Sequence, residues 1–207
     1  MNECNVFVGI DYATAFVQVC ALDRDGKQLG NKKIENDCHA IANYVGAFGT
    51  NVRAAVEACG GTADQAEQLL QHDGWSIDLA HPGYVQRIKQ SPDKTDFSDA
   101  RLLADLVRVG YLPKVWLAPQ YIRELRRLVR YRQDLVDRRR SLKQKIGALL
   151  RDLRNQCALT PWTVGWIKWL RDVELPGESR WVITQQLDEL DGINKRIVTA
   201  QERLQEV

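Results

Sequence analysis

Three short apolar runs separated by tight turns occupy the first 35 residues, and this spacing constrains the fold more than any other feature. The runs are Val6–Asp11, Phe16–Leu22 and 27–35, with the Asp25-Gly26 turn between the last two. Runs this short, joined by turn residues, are typical of strands in successive hairpins. They predict an antiparallel three-stranded meander.

Segments of helical and strand period alternate after the meander. The predicted elements are a helix over 39–48, a strand over 51–57, a helix over 62–73, a strand over 75–80, a turn at 81–83 and a helix over 95–109. This order is typical of an α/β domain with a mixed sheet and helices on both faces. The ribonuclease-H-like (RuvC-like) fold and the actin and sugar-kinase fold share it, and the order alone does not distinguish them.

The hydrophobic pattern changes beyond Pro119 to a spacing of three and four residues, which predicts an all-α coiled-coil region. The first series is Leu125, Leu128, Arg132, Leu135, Arg139, Leu142, Ile146, Leu149 and Leu153, and the second is Ile183, Leu187, Leu190, Asn194, Ile197, Gln201 and Leu204. The two helices can pair with each other or with a second subunit, and we expect at least a homodimer. With Pro113 and Pro119 bracketing a connector, the predicted domains are 1–113 and 120–207.

The small net charge of +2 conceals two halves of opposite sign. Residues 1–113 contain 10 basic and 15 acidic side chains (−5), whereas residues 114–207 contain 19 and 12 (+7). This asymmetry indicates a polyanion-binding region beside one that uses carboxylates. No apolar stretch approaches the ~18 residues of a membrane span, and the start lacks a secretory layout, so we expect a cytoplasmic, nucleoid-associated protein without a membrane partner. The five cysteines, odd in number and without C-x-x-C, favour free thiols.

Four acidic residues stand where a sheet of this kind would bring them together. Asp11 ends the first predicted strand, and Glu57 ends the fourth, just before Gly60-Gly61. Asp96 and Asp99 are three apart at the start of a predicted helix and so share a face. If the first and fourth strands are neighbours, all four carboxylates meet at one edge.

Several carboxylates in one place require cations, and oxygen ligands of this kind favour Mg²⁺ or Mn²⁺. Two such ions can activate the attacking oxygen and stabilise the leaving oxygen of a phosphodiester displacement. The alternative reading treats each residue singly, with Asp11 as a turn former and Asp96 favoured by a helix dipole. The set of four in this order favours the catalytic metal site.

A strongly basic segment follows, with twelve Arg and Lys against four acids between positions 123 and 154. The planar guanidinium suits bidentate phosphate contact, so nucleic-acid binding is expected, the alternative being a solvated helix face. The candidate binding residues are Arg123, Arg126, Arg127, Arg130, Arg138, Arg139, Arg140, Lys143 and Lys145. The tryptophans Trp162, Trp166, Trp169 and Trp181 could stack on bases, but their spacing favours a hydrophobic plug or a dimer contact.

At these residues the sequence resembles the DEDD transposases of the insertion-sequence one-ten family, which are recombinases guided by a bridge RNA. The matching segments are Val-Gly-Ile-Asp11-Tyr-Ala, Val-Glu57-Ala-Cys-Gly-Gly, His81-Pro82, Lys94-Thr-Asp96-Phe-Ser-Asp99-Ala and Leu-Arg-Arg-Leu-Val-Arg at 125–130. The resemblance covers about residues 6–155. Two positions depart from the family pattern, with Thr14 in place of a lysine and Phe97-Ser98 inside the D-x-x-D.

The resemblance implies that Asp11, Glu57, Asp96 and Asp99 are a RuvC-like tetrad that binds two Mg²⁺ or Mn²⁺ ions. It further implies DNA cleavage and strand exchange in transposition, with a structured guide RNA as partner. The family's carboxy-terminal domain, which supplies a nucleophilic serine, is expected to follow the coiled coil and to lie outside this chain. No nucleophile is therefore assigned here.

Two other functions remain open from the residues. The chain could act as a catalytically incomplete nucleic-acid-binding and dimerisation fragment. It could also be an actin-like ATPase, because Gly-Ile-Asp-Tyr-Ala-Thr with Asp23 and Gly26 resembles a phosphate-binding hairpin. That fold needs a second glycine-rich phosphate loop, which the sequence does not show.

Overall fold

The computed structural model of the chain describes residues 5–88 and 95–207. The chain forms two compact units, Met1–Ala118 and Pro119–Val207. Cys4, one of the five cysteines, and Lys94, in the segment that resembles the family, lie outside the described residues. Within the described residues no helix is both long enough and apolar enough to cross a bilayer.

The first unit is built on a six-stranded mixed sheet, as expected for the ribonuclease-H-like class. Its strands are β1 (Val6–Asp11), β2 (Phe16–Leu22), β3 (Gln28–Glu35), β4 (Val52–Glu57), β5 (Trp75–Ala80) and β6 (Lys114–Val115). They lie in the order β3-β2-β1-β4-β5-β6. The β1–β2–β3 meander is antiparallel, β1, β4 and β5 are parallel, and β6 is antiparallel to β5. The predicted meander and the predicted β1–β4 neighbourhood are both confirmed.

Helices cover both faces of this sheet, which explains why the central strands are apolar on both sides. The helices of the unit are α1 (Cys38–Gly46), α2 (Thr62–Leu69), α3 (Pro82–Ile88) and α4 (Asp96–Arg108). Val8 and Ile10 of β1 pack in one core with Ile41 of α1 and Leu69 of α2. On the opposite face, residues of β4 and β5 pack with Leu103 and its neighbours in α4.

Two local predictions of the sequence analysis were wrong. The expected turn at 81–83 is the beginning of α3, where the carbonyl oxygen of His81 accepts bonds from the amides of Tyr84 and Val85 at 3.1 and 3.0 Å. Pro82 suits the first turn of a helix because the N–H it lacks would have no intrahelical partner. The expected connector between Pro113 and Pro119 contains β6, a strand of two residues that is too short to show a period.

The second unit consists of α5 (Gln120–Asp152), α6 (Val164–Asp172) and α7 (Gly177–Gln205). Arg132, in the first half of α5, donates a 2.7 Å bond to Gln201 near the end of α7, so the two long helices run antiparallel. The predicted heptad series therefore pair with each other within this chain. Their shared core contains Leu135, Leu142, Ile146 and Leu150 of α5 with Ile183, Leu187, Leu190, Ile193 and Ile197 of α7.

The buried positions depart from the predicted seam toward the ends of both helices. Leu150 is buried where Leu149 was expected, and Ala200 is buried where Gln201 was expected. A straight helix has 3.6 residues per turn, so a strict heptad pattern drifts around it by about 20° per repeat. The polar interruptions Arg132 and Gln201 lie at the edge of the seam and bond to each other.

Candidate active site

Asp11 and Glu57 end two neighbouring parallel strands on the same face of the sheet. Ile10 pairs with Val56 in the β1–β4 register, and the next residue of each strand is the carboxylate. Side chains alternate between faces along a strand, so Asp11 lies on the face of Phe7, and Glu57 lies on the face of Ala55. Phe7 and Ala55 pack against α4. Both carboxylates therefore lie half-buried on the face that α4 covers.

Gly9 determines how closely α4 approaches this face. A Cβ atom at position 9 would overlap the carbonyl oxygen of Ala100 and would lie 2.5 Å from the amide nitrogen of Ala104. The backbones of β1 and α4 are thus in direct contact, which only glycine permits. Because Ala100 directly follows the Asp96–Asp99 segment, this contact places the first turn of α4 beside the end of β1.

The start of α4 is held by its own cap and by the meander. Thr95 and Ser98 form a capping box, in which the Ser98 amide donates to the Thr95 hydroxyl at 3.2 Å. The side-chain amide of Asn31 in β3 donates a 3.1 Å bond to the carbonyl oxygen of Phe97. The side-chain amide of Gln18 in β2 donates in turn to the side-chain oxygen of Asn31 at 2.6 Å. Gln18 is the register partner of Asp11. Polar contacts therefore connect the Asp11 position to the first turn of α4.

Asp11 and Asp96 line one open cleft of about 220 Å³, together with Lys33 of β3. Glu57 is the strand neighbour of Asp11, and Asp99, one helical turn beyond Asp96, is half-buried. Across residues 5–88 and 95–207, no group of three or more acidic, histidine or cysteine side chains is close enough to hold a metal ion. The structure thus places Asp11 with Asp96 and Asp11 beside Glu57, without drawing all four carboxylates into one ligand cage.

The loop after Glu57 packs against the residue after Asp11. Gly61 has a φ of +94°, and a Cβ atom there would overlap the hydroxyl of Tyr12. The buried Thr62 hydroxyl donates to the carbonyl oxygen of Cys59 at 3.0 Å and accepts from its amide at 3.1 Å. These contacts hold the Gly60-Gly61 turn that the sequence analysis expected beyond Glu57.

The Cys59 thiol lies close enough to Glu57 and Asp11 for their negative charges to raise its pKa. Burial of its environment raises the thiol pKa, the negative charge of Glu57 raises it further and that of Asp11 adds a smaller increase, while the hydrogen bond with Thr62 opposes them. Asp11 and Glu57 thus place two carboxylate groups on adjacent strands at this end of the sheet. Carboxylate oxygens are the ligands that hard divalent cations prefer.

Several residues at this site were not identified from the sequence. Gly9 carried a signal, because a glycine inside an apolar strand marks a close backbone approach. Gln18, Asn31 and Lys33 carried none, because polar residues on an outer hairpin read as an ordinary solvated face. Only the strand register brings them beside Asp11.

Comparison with known proteins identifies the family. The family of IS110-type DEDD transposases, described simply as "Transposase", matches residues 8–154, which is more than two thirds of the chain. The chain belongs to this family. The resemblance to the insertion-sequence one-ten transposases is therefore confirmed, and the matched region includes all four acidic residues and the whole of α5.

Two relatives of this transposase chain extend the comparison. "Putative transposase y4qE" of Sinorhizobium fredii is 27% identical over 190 residues, which cover 88% of this chain and 48% of that protein. "Insertion element IS116 uncharacterized 44.8 kDa protein" of Streptomyces clavuligerus is 28% identical over 152 residues, covering 70% and 38%. The transposase chain thus spans about half the length of the curated relatives it matches, or less.

All nine candidate nucleic-acid-binding residues of the transposase chain lie on α5. Six are exposed: Arg126, Arg127, Arg130, Arg138, Arg140 and Lys145. Arg123, Arg139 and Lys143 are half-buried, and Arg127 forms an ion pair with Glu124 on the same helix. The basic segment is therefore a helical surface on which most of the positive charge is accessible.

The tryptophans divide between a core and a surface role. Trp166 is buried in the core of the second unit, with Trp162 and Trp169 packed against that core, as the plug interpretation expected. Trp181 differs, because 62% of it is exposed on α7. Three of the four tryptophans thus pack as a hydrophobic plug, whereas for the exposed Trp181 the expected dimer contact stays a prediction.

Proposed function

We propose that this chain carries the RuvC-like catalytic part of a DNA transposase that cleaves and exchanges DNA strands with Mg²⁺ or Mn²⁺. Asp11, Glu57, Asp96 and Asp99 would hold the ions, two in number by the family pattern. The observation that carries the proposal is the placement of Asp11 and Glu57 at adjacent strand ends, on the face against which Gly9 brings the start of α4.

The donor set supports this choice of ion. Carboxylate oxygens are the ligands that Mg²⁺ and Mn²⁺ prefer, and bound divalent ions supply activation of the attacking oxygen and stabilisation of the leaving oxygen. The chain's own contribution is to orient the carboxylates. Asp11 and Glu57 are held by the sheet, whereas Asp96 and Asp99 are carried by a capped helix that is fixed through Gly9 and Asn31.

A reconstituted recombination reaction tests the proposal. Full-length protein, guide RNA, donor DNA, target DNA and Mg²⁺ should yield recombinants, and Asp11→Asn or Glu57→Gln should lower the rate at least about 10²-fold, because each removes a negative ligand oxygen from a charge-dependent site. Asp25→Asn is the matched control, since Asp25 lies in the β2–β3 turn at the opposite end of the sheet. Recombination at the wild-type rate by both tetrad variants would refute the assignment.

Direct metal binding gives a second readout that does not depend on the guide RNA. Binding of Mn²⁺ to the chain, followed by electron paramagnetic resonance, should weaken in Asp11→Asn and Asp96→Asn and remain unchanged in Asp25→Asn. Equal Mn²⁺ affinity in all variants would show that the ion binds elsewhere.

We further propose that α5 binds the phosphate backbone of DNA or of the guide RNA. The exposed arginines support this, since each neutralised phosphate releases counterions and makes affinity dependent on salt. Arg138→Gln with Arg140→Gln should reduce the slope of log affinity against log salt by about two, measured in gel-shift titrations. An unchanged slope would instead favour the solvated-face interpretation.

Oligomerisation also remains a proposal. The α5–α7 seam is filled within one chain, so a homodimer would need a different surface. Light scattering of the purified chain over a range of concentrations would measure its mass directly, and a constant monomer mass would exclude self-association in that range.

A further inference from the structure

Two neighbouring clefts in the second unit share Trp162 as a wall. One, of about 500 Å³, is lined by α5 residues and Trp162, and the other, of about 430 Å³, lies between the end of α5 and the Trp162–Trp169 segment. We call the first the Trp162 cleft; its polar lining is Gln133, Asp137, Arg139, Arg140, Lys143 and Gln144. Its volume is in the range of small-ligand sites.

Trp162, which lines this cleft, has an unusual backbone conformation. Its φ is +69°, a region that a large side chain adopts only at an energetic cost. The ring is fixed by Trp166, whose centroid is 4.6 Å away and which is buried in the core. Trp162 itself stays only half-buried. One part of Trp162 thus packs against the core, while its partly accessible surface is held in a fixed place beside the cleft.

The cleft also concentrates positive charge. Arg139, Arg140 and Lys143 line it, and throughout the described part of the chain no carboxylate lies within ion-pair distance of any of the three. Asp137, the acidic residue in the lining, accepts a 3.2 Å bond from Gln133. Partial burial lowers the pKa of Lys143, and the nearby charge of Arg139 lowers it further. An anion in the cleft would relieve this repulsion.

The Lys143 ammonium lies 4.8 Å from the centroid of the Trp162 ring. Such a cation–π contact at a partly exposed site stabilises less than the stacking of a nucleobase on an aromatic side chain. A base can therefore take the place of the ammonium on the ring, and the flexible lysine can move to the accompanying phosphate. A nucleotide bound in this way would use both the aromatic ring and the positive charge of the cleft.

We propose that the Trp162 cleft binds an unstacked nucleotide of a single-stranded nucleic acid, with the base on the Trp162 ring and the phosphate near Arg139, Arg140 and Lys143. A base in a duplex has both faces covered by its neighbours, so the ring selects single-stranded segments. RNA and single-stranded DNA share this chemistry. The site lies wholly in the second unit and does not depend on the carboxylates of the first.

The proposal can be tested by fluorescence anisotropy in a buffer that contains EDTA. The probes are labelled 12-nucleotide oligo-U, labelled oligo-dT and a labelled duplex of equal length. Trp162→Ala should weaken binding of the single strands about tenfold, whereas Trp162→Phe, which keeps an aromatic face, should stay within about threefold. Duplex binding through the α5 arginines should change little. Trp181→Ala is the matched control, because Trp181 is an exposed tryptophan outside the cleft, and it should bind as wild type does.

Photocrosslinking keeps the test decisive if Trp162→Ala fails to fold. Oligonucleotides with 5-iodouracil, irradiated with the wild-type chain and mapped by mass spectrometry, should crosslink at Trp162. A crosslink at Trp181, or none on the Trp162-containing peptide, would overturn the proposal, as would equal single-strand affinity of folded Trp162→Ala and wild type. Stronger crosslinking of oligo-U than of oligo-dT would assign the site to RNA, and the reverse would assign it to DNA. Because EDTA removes divalent ions, failure here is separate from failure of the proposed metal chemistry.

Discussion

Gly9 and Ala100 bring β1 and α4 into backbone contact: a side chain at position 9 would overlap the carbonyl oxygen of Ala100. Asp11 lies two residues beyond Gly9, and Asp99 directly precedes Ala100. The distance between the acidic strand end and the acidic helix start therefore depends on the absence of one Cβ atom. This relationship makes Gly9 a positioning residue for the proposed metal site.

Gly9→Ala should destabilise the first unit by about 2–3 kcal/mol, because the added Cβ forces α4 away from β1 in a close-packed core. Urea unfolding followed by circular dichroism measures the change. Gly46→Ala is the control, since Gly46 ends α1 with open space around the added Cβ, and it should be neutral or stabilising by up to about 1 kcal/mol. Equal stabilities for the two variants would contradict the close contact.

Gly61→Ala should cost about 2 kcal/mol, because its positive φ strains an alanine and its Cβ overlaps the Tyr12 hydroxyl. Gly110→Ala separates the two causes, since Gly110 also has a positive φ, of +74°, but has open space around it. It should cost only about 1 kcal/mol. Adding Tyr12→Phe to Gly61→Ala should recover part of the loss in a double-mutant cycle; a coupling free energy of zero would show that the hydroxyl is not the obstacle.

Thr95→Ala should destabilise the start of α4 by about 1 kcal/mol, because it removes the side chain that accepts the Ser98 amide bond. Thr199→Ala serves as a control, since Thr199 is exposed within α7, away from its first turn, and donates to the carbonyl oxygen of Lys195. Chemical denaturation of both variants gives the comparison. If Thr95→Ala matched wild type, the capping box would not be what fixes the Asp96–Asp99 turn.

Cys20 should make the folded chain less stable at alkaline pH. Burial raises the pKa of its thiol to about 11, against about 9 ordinarily, although Arg101 opposes the shift. Between these values the unfolded thiol loses its proton while the folded thiol keeps it, so the free energy of unfolding falls as pH rises. At pH 10 the Cys20 thiol alone should lower the free energy of unfolding by about 1 kcal/mol.

The measurement compares urea unfolding of wild type and Cys20→Ala at pH 8 and pH 10. Cys38, whose buried thiol also has a raised pKa, contributes equally to both proteins. Wild type should therefore lose about 1 kcal/mol more than Cys20→Ala. Identical pH dependence would mean that the Cys20 thiol is accessible to solvent in the folded chain.

Local sequence determined much of the first unit. The runs ending at Asp11 and Glu57 have the length and composition of strands, and their bounds agree with the structure at the carboxylates to the residue. The turn predicted at 81–83 was wrong. His81-Pro82-Gly83 contains residues that favour turns, but a proline is equally favourable in the first turn of a helix. Local propensity cannot choose between these outcomes; the amide bonds to the His81 carbonyl do.

The sequence by itself determined which residues are acidic, where the strands end and that a basic helix follows, because these depend on residue type and short-range period. Only the tertiary structure decided that Gly9 admits α4, that Asn31 holds Phe97 and that α7 rather than a second subunit fills the α5 seam. Each of these is a contact between residues far apart in the chain. Such contacts depend on strand register and on helix rotation, where a shift of one residue moves a side chain to another face.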